Sequence, residues 1–221
     1  MKINEMNIVI TGANGVTASV MMEYFSKHAG YIVGTVRQLS ETWKRNKNSA
    51  IIEMDPLDHR SIDRAIRWIN DEAGTIHVWL NIIGGFTMGN RVWEGNDVWG
   101  FMYNTNFMTT LNCCQQILPK MKSRKFGRII NMGSQAALQG MPLAGAYCAS
   151  KAAVHTLTKI IALENGENIT CNAILPGIID TPANRKKMPR ADHDNWITPI
   201  KIAEKIETVL VSDNNGKLIK I

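Results

Sequence analysis

Short apolar runs alternate along the chain with stretches whose apolar residues recur every three or four positions. The runs at 6–11, 31–36, 50–54, 76–83, 127–132, 169–175 and 217–221 read as strands. Between the first two, Val16, Val20, Tyr24 and Phe25 fall near helical spacing, and Gly30 is a helix stop. Ile62, Ala65, Ile66 and Ile69 give a helix over 59–73 one apolar face. A long helical stretch follows Gly95 and runs to Leu118, where Pro119 is expected to interrupt it. Helices over 145–164 and 199–211 follow, with polar connections reaching Asn48 and Thr198. Strands alternating with helices imply right-handed crossovers, hence an α/β fold with helices on both faces of a parallel sheet. With no repeat, linker or low-complexity tract, residues 1–221 read as one domain built on a doubly wound sheet of about seven strands.

Ligands of such sheets bind at the carboxyl ends of strands, near the switch in strand order. Gly12, Arg37, Asp55, Asn81, Ser134 and Pro176 all fall at or just after predicted strand ends. In Gly12-Ala13-Asn14-Gly15-Val16-Thr17-Ala18, a glycine turn lets backbone approach a diphosphate, which the following helix N-terminus attracts. Small Ala18 allows close helix packing; the alternative is a plain strand-helix turn. Tyr147 and Lys151, four residues apart on a predicted helix, share one face. A nearby cation favours phenolate, so Lys151 is expected to lower the phenol from its usual pKa of about 10 toward working pH. Ser134 lies upstream, just after a strand. The bland alternative is an ordinary amphipathic helix.

Composition adds little beyond an ordinary globular chain: 45% hydrophobic and 20% charged residues. The net charge of +6 suits an anionic small ligand or weak nucleic-acid contact. Yet the basic clusters, Lys44-Arg45, Arg124-Lys125 and Arg185-Lys186-Lys187, are short and scattered, so they read as solvated surface and no nucleic-acid partner is expected. Cys113, Cys114, Cys148 and Cys171 form no Cys-x-x-Cys unit, so neither zinc nor a disulfide framework is expected. The chain enters its first strand without a signal-peptide pattern and holds no run of membrane-span length. A reducing cytoplasmic setting follows as the expectation, in which the Asn168-Ile169-Thr170 sequon has no meaning. Asp192-His193-Asp194 reads as a polar loop rather than a metal site, and His77 and His155 as structural histidines. Met21-Met22 reads as core and surface helix, while Trp93 and Trp99 suit either a substrate-pocket wall or core packing.

These motifs, in this order, make the whole chain resemble the short-chain dehydrogenase/reductases, which have a single Rossmann domain. Thr11-Gly12 with Gly15 resembles the cofactor loop, Asp55 the acid that contacts adenine, and Asn81-Ile82-Ile83-Gly84 the Asn-Asn-Ala-Gly stretch. Pro176-Gly177-Ile178-Ile179-Asp180-Thr181 resembles the segment that meets the nicotinamide amide. The resemblance implies an oxidoreductase moving hydride between NAD(P)(H) and a small carbonyl or alcohol, with catalytic Asn106, Ser134, Tyr147 and Lys151. Tyr147 would be acid or base, Ser134 a donor to the carbonyl oxygen, and Lys151 would reach the nicotinamide ribose. Asn106 would hold a water linking Lys151 to solvent, and the loop from Asn184 to Trp196 would close the pocket. The implied cofactor set is Gly12, Asn14, Gly15, Val16, Arg37, Asp55, Pro56, Asn81, Gly84, Tyr147, Lys151, Pro176, Ile179 and Thr181.

The glycine loop is one residue tighter than the common Gly-x-x-x-Gly-x-Gly form. With Gly84-Gly85, Thr181-Pro182-Ala183-Asn184-Arg185, Met188-Pro189, Ala191-Asp192 and Trp196 it resembles the dihydropteridine reductase branch, which lacks the serine present here as Ser134. A quinonoid dihydropteridine reductase-like activity is thus an alternative. A non-catalytic cofactor sensor is disfavoured by the intact Asn-Ser-Tyr-Lys set. An epimerase or dehydratase is disfavoured because little sequence follows the last strand. An acid ending the second strand would hold the ribose hydroxyls of NAD, whereas Arg37 stands there, with no acid before Glu41. NADP(H) is therefore expected over NAD(H); Lys44 and Arg45 read as a solvated loop, with a weaker attraction to the phosphate as the alternative. The alternative is an Arg37 stacked on adenine, which leaves NAD usable. Small Ala146, Ala149, Ala152 and Ala153 let the 145–164 helix pack against its copy, and the resemblance implies a homodimer or homotetramer.

Overall fold

The protein is described by a computed structural model that covers residues 1–40, 46–166 and 168–221, so Glu41, Lys44 and Arg45 lie outside the described residues. Seven parallel strands form one sheet: β1 (Ile8–Thr11), β2 (Ile32–Val36), β3 (Ser49–Glu53), β4 (Val78–Asn81), β5 (Gly127–Met132), β6 (Ile169–Leu175) and β7 (Leu218–Lys220). Their order is β3-β2-β1-β4-β5-β6-β7, so the direction of winding reverses between β1 and β4. A crevice opens at that reversal because successive crossovers leave it on opposite faces.

One face is covered by α1 (Val16–His28) and α8 (Pro199–Leu210), whose Met21, Phe25, Ile202 and Ile206 pack on Ile8, Ile10 and Leu80. The other carries α2 (His59–Ala73), then α3 (Asn96–Tyr103) joined through a π-helical turn (Asn104–Met108) to α4 (Thr109–Arg124). Ile62, Ile66 and Ile69 of α2 and Cys113, Cys114 and Ile117 of α4 bury Val9, Val33 and Trp79 there. Asp58 caps α2 by accepting the Arg60 N–H. The described residues also form the short α5 (Ala136–Gln139), the long α6 (Gly145–Asn165) and α7 (Pro182–Lys187).

The predicted strand over 76–83 stops at Asn81 because the N–H groups of Ile82 and Ile83 turn to the Thr11 hydroxyl, at 3.0 and 3.3 Å. Pro119 does not interrupt its helix. The missing N–H costs one bond, and the chain beyond it stays helical to Arg124 with Met121 buried under β5. The predicted polar connection before Thr198 contains α7, capped by the Thr181 hydroxyl accepting the Asn184 N–H at 3.2 Å. No helix among the described residues is long and apolar enough to cross a membrane.

Candidate active site

Tyr147 and Lys151 project from the first turns of α6 toward the end of β5. Lys151 is 3% exposed, and its Nζ donates to the Met132 carbonyl at 2.8 Å. Burial lowers its pKa to about 8. The Tyr147 ring stands edge-on to Phe86, with centroids 4.9 Å apart, and its hydroxyl interacts with that of Ser134. Ser134, buried at the start of the turn into α5, accepts the Ala136 N–H at Oγ (3.3 Å).

The phenol departs from the sequence expectation. Its pKa is raised, first by burial and to a lesser degree by Cys148, against an opposing hydrogen bond from Ser134. Lys151 does not pull it down, because the ammonium is directed at the Met132 carbonyl and is itself weakened by desolvation.

Asn106 lies in the π turn, where the helix widens between α3 and α4. Its Oδ1 accepts the Gly85 N–H at 2.8 Å, while its Nδ2 donates to the Gly85 carbonyl at 3.1 Å and to Ser150 Oγ at 2.9 Å. The side chain thus clasps the loop after β4 and ties it to α6, while the Asn106 backbone carbonyl accepts the Thr110 hydroxyl at 3.0 Å.

Ser134, Tyr147 and Lys151 open onto a cavity of about 550 Å³. Of the predicted site, Gly84, Ser134, Tyr147, Lys151, Pro176 and Ile179 line it. Of its remaining wall, Phe86, Met88 and Met141 lie outside the expected site, whereas Thr17, Ile178 and Met188 belong to the segments expected to approach the diphosphate, meet the nicotinamide and close the pocket. Lys151 is the one Lys, Arg, Asp or Glu among the described residues of that wall. Asn184 and Met188 bring the α7 segment to the mouth, and Asp180 and Arg185 hold that segment by paired hydrogen bonds. Trp93 is 74% exposed and Trp99 packs on Gly145; neither lines the cavity.

The remaining predicted cofactor residues sit around the crevice. Gly12 has φ +72°, and a β-carbon there would stand 2.7 Å from Ile83 Cγ1, so the turn admits only glycine. Asn14, Gly15 and Val16 are exposed, and Gly15 provides no side-chain cap, leaving the first N–H groups of α1 open to an anion. Arg37 is exposed directly after β2. Asp55 is exposed and accepts the Leu57 N–H at 2.9 Å, while the buried Pro56 accepts Asn112 Nδ2 through its carbonyl at 3.0 Å. These features fit a dinucleotide whose diphosphate rests on α1. Two predicted side chains are committed elsewhere: Thr181 caps α7, and Asn81 bonds Trp79, Asn131 and Cys114 beneath the sheet edge. Among the described residues no group of three His, Cys, Asp or Glu side chains suits a metal.

The family model described as short chain dehydrogenase matches residues 6–192. A 3-ketodihydrosphingosine reductase of Bacteroides thetaiotaomicron is 28% identical over 90% of this chain and 76% of its own. An NADPH-dependent pterin aldehyde reductase of Arabidopsis thaliana is 25% identical, covering 96% of this chain and 91% of its own. In fold the chain is similar to the ligand-free aldohexose dehydrogenase of Thermoplasma acidophilum, with TM-score 0.86, 23% identity, and coverage of 99% of this chain and 93% of that one. The chain belongs to the short-chain dehydrogenase family, a family of oxidoreductases that use nicotinamide cofactors.

Proposed function

We propose that the protein is an NADP(H)-dependent reductase of small, uncharged carbonyl compounds, with residues 1–221 acting as one unit. The observation that carries this reading is the meeting of Ser134, Tyr147 and Lys151 in an apolar-walled cavity at the carboxyl edge of the sheet. The Gly12 turn and the open start of α1 would hold the diphosphate, Asp55 and Pro56 the adenine side, and Pro176, Ile179 and Lys151 the nicotinamide end. When bound, the cofactor supplies the hydride. Tyr147, whose phenol burial keeps protonated near neutral pH, gives its proton to the carbonyl oxygen. Ser134 donates a hydrogen bond to the same oxygen, where negative charge develops. Asn106 holds the Gly84–Gly85 loop against α6. Arg37 and the relative named as NADPH-dependent support NADP(H) over NAD(H).

The substrate class follows from the wall. Phe86, Met88, Met141, Ile178 and Met188 offer an adaptable apolar surface, and the wall's one cation, Lys151, is engaged with the Met132 carbonyl rather than open to a carboxylate or phosphate on the substrate. NADPH oxidation measured with matched pairs, a neutral ketone or aldehyde against its keto acid, is expected to favour the neutral member at least about tenfold in kcat/KM. Equal rates, or preference for the acid, would refute the neutral-substrate reading. The pterin-reducing alternative has the Arabidopsis relative in its favour, so pterin aldehydes and quinonoid dihydropterin belong in the same panel.

The outer side of α6 supports a homo-oligomer. Ala149 is exposed and Ala152 and Ala153 are half-buried, while Ile160 and Leu163 are 44% and 86% exposed. Ala146, by contrast, faces inward. A second copy of α6 would cover this apolar strip. Light scattering at micromolar concentration is expected to show a dimer or tetramer, and a lone 24.7 kDa species would refute it. The free, buried cysteines agree with a reducing, cytoplasmic setting, a reading that recovery in a membrane or secreted fraction would refute.

A further inference from the structure

Ser134 is held at two atoms by groups of different origin. Its Oγ accepts the Ala136 N–H, which belongs to its own turn. Its N–H donates to His155 Nε2 at 3.2 Å, a side chain one helical turn beyond Lys151 on α6. His155 is 5% exposed. It reaches the strand end only because residue 133 is glycine: a β-carbon there would stand 2.6 Å from His155 Nε2 and 2.8 Å from Leu175 Cδ1.

We propose that His155 is a positioning residue for Ser134, its Nε2 entering the space left by Gly133 to hold the Ser134 N–H and so aim the hydroxyl into the cavity. The inference rests on the reading above, in which Ser134 works on the substrate oxygen. With one Oγ lone pair on the Ala136 N–H and the backbone held by His155, Oγ is fixed at the cavity wall and keeps its proton for an acceptor there. To accept at Nε2 the neutral imidazole carries its proton on Nδ1. Burial, then the charges of Lys151 and Lys159, lower its pKa to about 4, so the ring stays neutral at ordinary pH. Thr158, three residues further along α6, donates no such bond to the turn; it accepts from Asn131 Nδ2 at 2.9 Å inside the core. The helix that bears Tyr147 and Lys151 therefore also sets Ser134, which couples the three groups through one rigid element.

His155→Leu keeps the bulk and removes the acceptor. It is expected to lower kcat about tenfold, with KM and NADPH affinity unchanged. His155→Gln, whose amide oxygen can accept, is expected to recover part of the loss. Gly133→Ala drives the imidazole off the serine and is expected to reproduce the loss with the histidine still present. In a Ser134→Ala background, His155→Leu is expected to cost nothing further, because the group being aimed is gone. An equal loss in that background, or no loss in wild type, overturns the positioning role. Nitrogen-15 NMR of the imidazole gives a readout independent of turnover: the Nδ1–H tautomer is expected, and the Nε2–H tautomer overturns the hydrogen bond. If Ser134→Ala itself leaves carbonyl reduction intact, Ser134 leaves the mechanism and the positioning role goes with it, while the tautomer still reports the contact.

Discussion

Tyr147→Phe is expected to lower kcat for carbonyl reduction by a factor of about 10² to 10⁴, the usual contribution of a positioned acid. The substitution deletes one oxygen and leaves the ring, whose edge-on contact with Phe86 holds the cavity wall in place. NADPH affinity should therefore change little. Lys151 offers no substitute proton path to the same point, because its ammonium is engaged with the Met132 carbonyl. Ser134 remains as a donor to the oxygen, so a residual rate above the uncatalysed reaction is expected. Rapid-mixing measurement of hydride transfer with saturating NADPH, beside a fluorescence titration of NADPH, separates the two effects. An unchanged rate removes Tyr147 from the role of acid. A lost rate accompanied by lost cofactor binding shows that the phenol serves the cofactor instead.

Arg37→Ala is expected to weaken NADPH binding about ten- to a hundredfold and to leave NADH binding unchanged, the loss of one charge-assisted hydrogen bond to the 2′-phosphate. Arg37 is exposed directly after β2, beside the turn proposed to hold the diphosphate. Ala13 in the glycine turn donates its N–H to the Thr35 carbonyl at 2.9 Å, so the turn and the end of β2 are held together two residues before Arg37. On the neighbouring strand, Glu53 pairs with Val36 in register and accepts the Leu39 N–H at 2.9 Å through Oε1. Calorimetric titration of both cofactors into both proteins checks this. Equal affinity of wild type for the two, or equal weakening of both by the substitution, excludes phosphate pairing by Arg37.

What was legible in the sequence follows from geometry that a parallel sheet imposes. Residues just after strands must gather on one edge, so Gly12, Gly84, Ser134 and Pro176 meet there whatever their neighbours. Helical spacing likewise put Tyr147 and Lys151 on one side of α6. Asn81 shows the limit of that rule. It stands at a strand end, but alternation turns its side chain down among Trp79, Asn131 and Cys114. The apolar wall was legible only in part: Met188 lies in the loop expected to close the pocket, but Met88 and Met141 come from two other loops with no shared period. Nor was the direction of the Tyr147 shift, since spacing along a helix gives proximity to Lys151 but not desolvation. His155 was visible only as a lone histidine; its partner depends on a glycine 22 residues earlier that no local pattern connects to it. Pro119 and α7 were missed because a buried Met121 and a threonine cap outweighed the local polar or breaker signal.

The proposed reaction is hydride transfer from NADPH to an uncharged carbonyl carbon. The direct measurement uses NADPH deuterated on its transferable position, the neutral carbonyl most active in the substrate panel, and mass spectrometry of the product. One deuterium on the new carbinol carbon, formed in step with NADP⁺ and at a rate at least about a hundredfold lower in Tyr147→Phe, is the expected result. NADPH that binds without being consumed across the panel, or a product formed with no deuterium and no net cofactor oxidation, would contradict it.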